Sequence, residues 1–430
     1  MKFARVGVAI AAAAIVVSAC GSSSATTAPV ATAAPDATTA PAATDAMSPV
    51  DDPLGVVEIP AGEPLHIAFW GVLSGADSSL GEDSKQGVEI AIDDIGGTIK
   101  GHEIRLTTED ALCTPDGGAT AGQKLAADST IVGLVGSSCS DEAVGGIASI
   151  TAAGLTTISP SNTRPALTDP NRDATYAGYL RTAHSDAFQG KAAAEFVFNE
   201  LKLTKAATIH DGSTYAEALQ GVFVDEFQKL GGTITAQEAV TKETTDMSAV
   251  LKTVAASGPE VIYFPVFVAA AGFLSAQIPT VSGLEEVKTM GADGHFSPDY
   301  LKAAGNAAVG HYLSSPNFGA FGAGYADLLA KREAKFGGTP LSVFHAHGYD
   351  AANILFAAIE KVAVENADGS LSVPKGALRD AIYATKDFPG ITGTLTCTEF
   401  GDCGAPVIGV YQITQENVDT LTMPTEVIWP

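Results

Sequence analysis

The sequence predicts an α/β protein built from two doubly wound parallel-sheet lobes. Two observations carry that prediction. Segments of strand character alternate with helical segments of roughly 10–15 residues, and the alternation runs its course twice. The chain beyond its leader, about 370 residues, is also too long for one ordinary core and calls for two.

In the first round LHIAFWG reads as a buried strand. DSKQGVEIAIDDI follows as a helix, with Val88, Ala91, Ile92 and Ile95 on one face. HEIRLTTED, IVGLVG and LTTISP are strands, separated by the helices GATAGQKLAAD and DEAVGGIASITAA. The second round opens with the helix SDAFQGKAAAEFVFNEL and the strand KAATIHDG. The helix YAEALQGVFVDEFQKLG ends at Gly231-Gly232, a C-cap signal. GTITAQEAV, EVIYFPVF and VKTMGADG are strands, with helices MSAVLKTVAAS and AGFLSAQIPTV between them. After HYLSSP the chain turns helical through GYADLLAKREAKFG, SVFHAHGYDAANILFAAIEKVA and KGALRDAIYATK. These late helices have no sheet of their own and are expected to cover the first. Three crossings between lobes are expected, near YLRTAH, YLSSPN and FPGITG. The expected division is 61–180 plus 316–388 for lobe 1, and 181–315 plus 389–430 for lobe 2.

The N-terminus is of another kind. Lys2 and Arg5 precede an apolar run from Val6 to Val17, then Ser18, Ala19 and Cys20. This is the pattern of a secretory signal, with a run shorter than the ~20 residues that span a bilayer. Val17-Ser18-Ala19-Cys20 resembles the bacterial lipobox, which implies a signal peptide over 1–19 and a lipid on Cys20. Residues 20–60, rich in Ala, Thr, Pro and Ser, show no apolar period and are expected to be a disordered tether. About 40 such residues reach roughly 35 Å on average. The expected location is extracytoplasmic, held to the bacterial cell membrane by the lipid.

The formal net charge of -25 disfavours nucleic acid and anionic lipid surfaces as partners. The five cysteines suit an oxidising compartment. With Cys20 assigned to lipid, Cys397 and Cys403 flank an acidic, Gly-containing turn between the alternating segments GTLTC and VIGVYQI. That reads as a hairpin bridged by a disulfide, leaving Cys113 to pair with Cys139. No C-x2-C, H-E-x-x-H or G-x-S-x-G occurs, and GGTIKGHE lacks the Gly-Lys-Ser/Thr ending of a phosphate-binding loop. His345 and His347 stand two apart and point to different faces of a helix. No metal, cofactor or enzymatic activity is expected.

IAFWGVLSG, GHEIRLTTEDALCTPDGGATAGQKL, VGLVGSSCSDEA, TTISPSNTRPALT, LRTAHSDAFQG, TIHDGSTYAEAL and TMGADG stand in an order and spacing similar to the periplasmic binding proteins of the leucine/isoleucine/valine type. The resemblance runs from about Leu65 to about Thr414. It implies a type I solute-binding fold serving an ABC importer, with a disulfide on Cys113 and Cys139. It also implies a ligand site. Ser140 would bind a ligand carboxylate at a helix N-terminus, where free N–H groups favour anions. Thr163 would touch both ends of an amino acid, and Ser161 would accept from its ammonium through the backbone. Asp293, where the family usually has Glu, would pair with the ammonium. Tyr215 would pack on the ligand, as would Phe267, which replaces a family Tyr. Trp70 has two readings, cleft wall or core. The expected function is capture of a small amino acid, branched-chain or otherwise aliphatic, by a monomeric lipoprotein that delivers it to permease subunits. The alternative is a sensory binding protein for amino acids, amides or urea that signals to a membrane receptor.

Overall fold

Residues 51–430 are described by the computed structural model. The expectations for 1–19, for Cys20 and for the tether as far as residue 50 lie outside the described residues. The tether was expected to run to residue 60, but it ends earlier. Val56–Ile59 pairs antiparallel with Leu371–Pro374, and the Asp52 carboxylate accepts from the backbone of Gly376 and Ala377. VVEI alternates toward the core, with Val57 and Ile59 buried, so these residues gain apolar burial that the Ala/Thr/Pro stretch cannot.

Strand Leu65–Gly71 is buried at every position, as expected of a central parallel strand covered on both faces. It pairs in parallel with His102–Asp110 on one side and Ile131–Gly136 on the other. Thr157–Ser159 and Tyr179–Arg181 extend the sheet. Counted in chain order, the parallel strands lie 2-1-3-4-5. The second sheet repeats this winding. Lys205–His210 lies between Thr233–Ala239 and Val261–Tyr263, and Lys288–Gly291 and Tyr312–Pro316 follow. Ile408–Gln412 closes that edge antiparallel. In each sheet the crossovers leave strands 1 and 3 in opposite directions, which opens a crevice at their C-terminal ends.

The helices after Pro316 return to the first sheet, as their apolar faces require. His345–Val362 packs on Ser78–Asp94 so closely that a methyl group at Gly87 would lie 1.9 Å from the His345 carbonyl oxygen. Helix Pro115–Ala127 meets Ser140–Ala152 in the same way, and a methyl at Gly118 would lie 2.3 Å from the Glu142 carbonyl oxygen.

The C-terminal hairpin forms differently from the expectation. Gly393–Leu395 pairs with Phe388–Gly390, while Ile408–Gln412 joins the second sheet. GTLTC and VIGVYQI therefore do not pair with each other. The cause is the segment between them. Gly401 and Cys403 exchange backbone hydrogen bonds with Arg181 at the edge of the first sheet, and Cys403 and Leu395 are buried in the core around that sheet. The third passage between sheets consequently falls after Cys403, not at FPGITG. Both disulfides are present, Cys113–Cys139 and Cys397–Cys403.

Candidate functional site

The two crevices face one another, and four helices begin there: Ser78–Asp94, Ser140–Ala152, Thr214–Lys229 and Val268–Gln277. Their starts bring Leu80, Ser140, Tyr215 and Phe267 to one cavity, with Ser138, Ser161, Asp293, Gly294 and Phe344. Five of the six residues expected to bind ligand thus line a single space. Thr163, the sixth, is not on the wall. It is buried beside it, and its Oγ1 has no hydrogen-bond partner. Trp70 is core: fully buried, its Nε1 donates to Thr157 Oγ1 at 3.0 Å. The cavity measures about 10 Å³, room for about one water, so a larger guest enters only as the lobes part. A larger pocket of about 640 Å³ lies along the C-terminal segment and holds none of these residues.

One wall presents donors. Ser140 opens its helix after Cys139, so backbone N–H groups and the positive end of the helix dipole face the space. Ser161 Oγ donates to the Ser138 carbonyl at 2.9 Å, tying the two loops together. Ser138 Oγ is buried without a partner. Behind this wall the Glu142 carboxylate accepts from the backbone of Cys113, Ser138 and Cys139, each at 2.9 Å. Burial pushes Glu142 up to about 7, against the pull of those bonds. Arg181 fixes the loop of Ser161 and Thr163 by donating to the carbonyls of Asn162 and Arg164, to Thr168 and to Asp402.

The opposite wall is acidic and aromatic. Asp293 Oδ1 accepts from the Tyr215 hydroxyl at 2.6 Å. Its Oδ2 has no hydrogen-bond partner and lies 3.5 Å from His184 Nε2. Gly294 lets this loop approach Tyr215, because a methyl there would lie 2.8 Å from the ring. The loop thereby brings a short aspartate up against the ring. Phe267 lies 5.1 Å from Tyr215, centroid to centroid. Lys242 Nζ sits 4.6 Å from the centre of the Phe267 ring.

Lys242 also joins the two walls. Its Nζ donates to the Cys113 carbonyl at 2.7 Å and lies 3.6 Å from Asp141. Asp141 in turn accepts from the Thr214 backbone at 2.9 Å. Lys242→Ala removes a charge-assisted contact made only when the walls are together, worth about 1–2 kcal/mol. The expected result is roughly five- to thirty-fold weaker ligand binding with little change in melting temperature, measured by titration calorimetry and thermal denaturation.

Reasoning from sequence missed Asp186, His184, Glu142 and Lys242. Asp186 was hidden because an acid just after a Ser N-cap looks like an ordinary helix start. Glu142 lay inside the quoted SSCSDEA, where its position three residues after the cap reads as a capping glutamate. Lys242 comes from a loop after a half-buried edge strand and carries no local signal.

Comparison with known proteins fits this geometry. The family of periplasmic binding proteins matches residues 64–415. The chain belongs to that family. This periplasmic binding protein is 27% identical over 344 residues to Leu/Ile/Val-binding protein homolog 3 of Brucella melitensis, covering 79% of this chain and 89% of the relative. Among solved structures it is similar to the branched-chain amino acid transporter substrate-binding protein LivJ of Streptococcus pneumoniae, in complex with isoleucine. That match has a TM-score of 0.73 and 24% identity, and covers 86% of this chain and 100% of the other. An ABC-transporter solute-binding protein from R. palustris in complex with benzoate matches with a TM-score of 0.70 and 19% identity, over 82% and 93% of the two chains. These likenesses show the fold, and the family makes the chain a solute-binding protein and not an enzyme. No helix among the described residues is long and apolar enough to cross a membrane.

Proposed function

We propose that this protein captures a small zwitterionic amino acid with an aliphatic side chain between its two lobes. The observation that carries this reading is the split of chemistry across one cavity. Serine hydroxyls and a helix N-terminus stand on one wall, Asp293 on the other, and Leu80, Tyr215, Phe267 and Phe344 between them. A carboxylate suits the first wall and an ammonium the second. The rings and Leu80 leave an apolar remainder for the side chain. In this reading Ser140, Ser161 and Thr163 hold the ligand in the first lobe, and closure brings Tyr215, Phe267 and Asp293 onto it. The closed form then delivers the ligand to ABC permease subunits, with the protein held at the membrane through Cys20.

Calorimetric titration of ligand-stripped protein, residues 51–430, tests the reading with L-leucine, L-isoleucine, L-valine, L-alanine and benzoate. Binding of an aliphatic amino acid and indifference to benzoate supports it. Binding of benzoate alone overturns the role of the acidic wall.

A further inference from the structure

The acidic wall is deeper than a single aspartate. Asp186 opens helix Asp186–Glu195, and its backbone N–H donates to the Thr163 carbonyl at 2.9 Å. This bond fixes it beside the ligand loop. The residue is fully buried, and neither carboxylate oxygen has a hydrogen-bond partner. Asp293 is 2% exposed, and its Oδ2 is likewise unpartnered. Asp293 lines the cavity and Asp186 is held behind it at the Thr163 loop, so two buried carboxyl groups with unpartnered oxygens stand where an ammonium group would bring three N–H donors. Building on the amino-acid reading above, we propose that Asp186 and Asp293 form a two-carboxylate socket that takes up the ligand's cationic nitrogen in exchange for a proton.

The surroundings require such an exchange. His184 is buried and held below the usual histidine range, mainly by that burial, and its Nε2 lies 2.6 Å from Gln189 Oε1. Tyr215 already donates to Asp293. Tyr263 is buried with an unpartnered hydroxyl, and burial, then the charges of Asp186 and Asp293, push its phenol upward. Arg181 is spent on Asp402, Thr168 and two carbonyls. No free cation among the described residues answers the two carboxylates. Two unpaired charges buried together cost more than one charge and one proton. Burial first, and Asp293 second, accordingly drive Asp186 well above the usual carboxylate range. When the ammonium enters, the Asp186 carboxyl proton leaves for solvent and an ion pair replaces it; no other bond changes. Affinity consequently rises with pH below the pKa of the socket, approaching about tenfold per unit.

Glu142, behind the opposite wall and near Lys242, is pushed up to about 7. A bound ligand carboxylate would draw a proton onto it, with the opposite sign. The decisive quantity is therefore the difference between the parent and Asp186→Asn. Both are titrated with the aliphatic amino acids at pH 7 in phosphate and in Tris, whose ionisation heats differ. We expect the variant to release about one proton fewer per ligand and to bind at least about tenfold more weakly. Its ligand-free melting temperature should be little changed, because the carboxyl it replaces already carries a proton there and Asn is neutral and of the same shape. Equal proton counts overturn the exchange. If the variant binds too weakly to count, Glu142→Gln, which lacks the opposing uptake, decides: release of about one proton per ligand supports the socket, and no release overturns it. A parent that binds none of these amino acids overturns the reading of the site and this proposal with it. Binding with equal proton counts removes the proposal alone.

Discussion

Asp293→Ala lowers amino-acid affinity by about 100- to 1,000-fold, the consequence of truncating one side of a buried, hydrogen-bonded charge pair at about 3–4 kcal/mol. The ligand-free protein should barely notice. The substitution removes the hydrogen bond from Tyr215 at 2.6 Å, but it also removes a buried negative charge that acts on Asp186. These effects oppose one another within about 1–2 kcal/mol. Titration calorimetry measures the first quantity, and thermal denaturation without ligand measures the second. A fall in stability that matches the fall in affinity would mark Asp293 as a structural residue and sink its role as an anchor.

The second large effect concerns the Cys113–Cys139 disulfide, whose cysteines are 26 residues apart. Replacing both by Ser frees a loop of that size in the unfolded chain, at about 3–4 kcal/mol on the chain-entropy account. Cys397 and Cys403 are 6 residues apart, and the same account gives about 2–2.5 kcal/mol for their removal. Denaturant unfolding of the two double variants should therefore rank them in that order. The Cys113–Cys139 variant alone should also lose affinity, because Cys139 immediately precedes Ser140 and its backbone N–H is held by Glu142 at 2.9 Å. An affinity equal to the parent's would show that Glu142 holds the loop unaided.

Much of the fold was legible because it rests on local signals. Strand Leu65–Gly71 is an apolar run broken only by His66, and the helix from Ser140 follows a strand and a Ser-rich turn; both stand where the pattern puts them. The C-terminal pairing was not legible. GTLTC and VIGVYQI both have strand character, but GTLTC pairs with Phe388–Gly390 just before it, and VIGVYQI pairs with Tyr312–Pro316, far away in sequence. Pattern tells that a segment wants to pair and not with what. The site followed the same rule. Ser140, Tyr215 and Phe267 stand at or beside helix starts, and position betrays them. Asp186 looked like helix chemistry, because only the fold removes its solvent and sets it beside Asp293. Lys242 acquires a role only when the lobes meet.

The repeated 2-1-3-4-5 winding has an electrostatic consequence. Because both sheets turn the same ends toward the gap, four helix N-termini converge on it. Each carries about half a positive charge. Like poles are thus pressed together, and left bare they would push the lobes apart. Aspartates at the seam act as counter-charge: Asp141 of one lobe neutralises the start of helix Thr214–Lys229 in the other. The gap is in this sense a balanced capacitor. On the amino-acid reading proposed above, a guest of zero net charge, whose own dipole runs from the acidic plate to the serine-bearing helix end, disturbs that balance less than a bare anion or bare cation of the same size would.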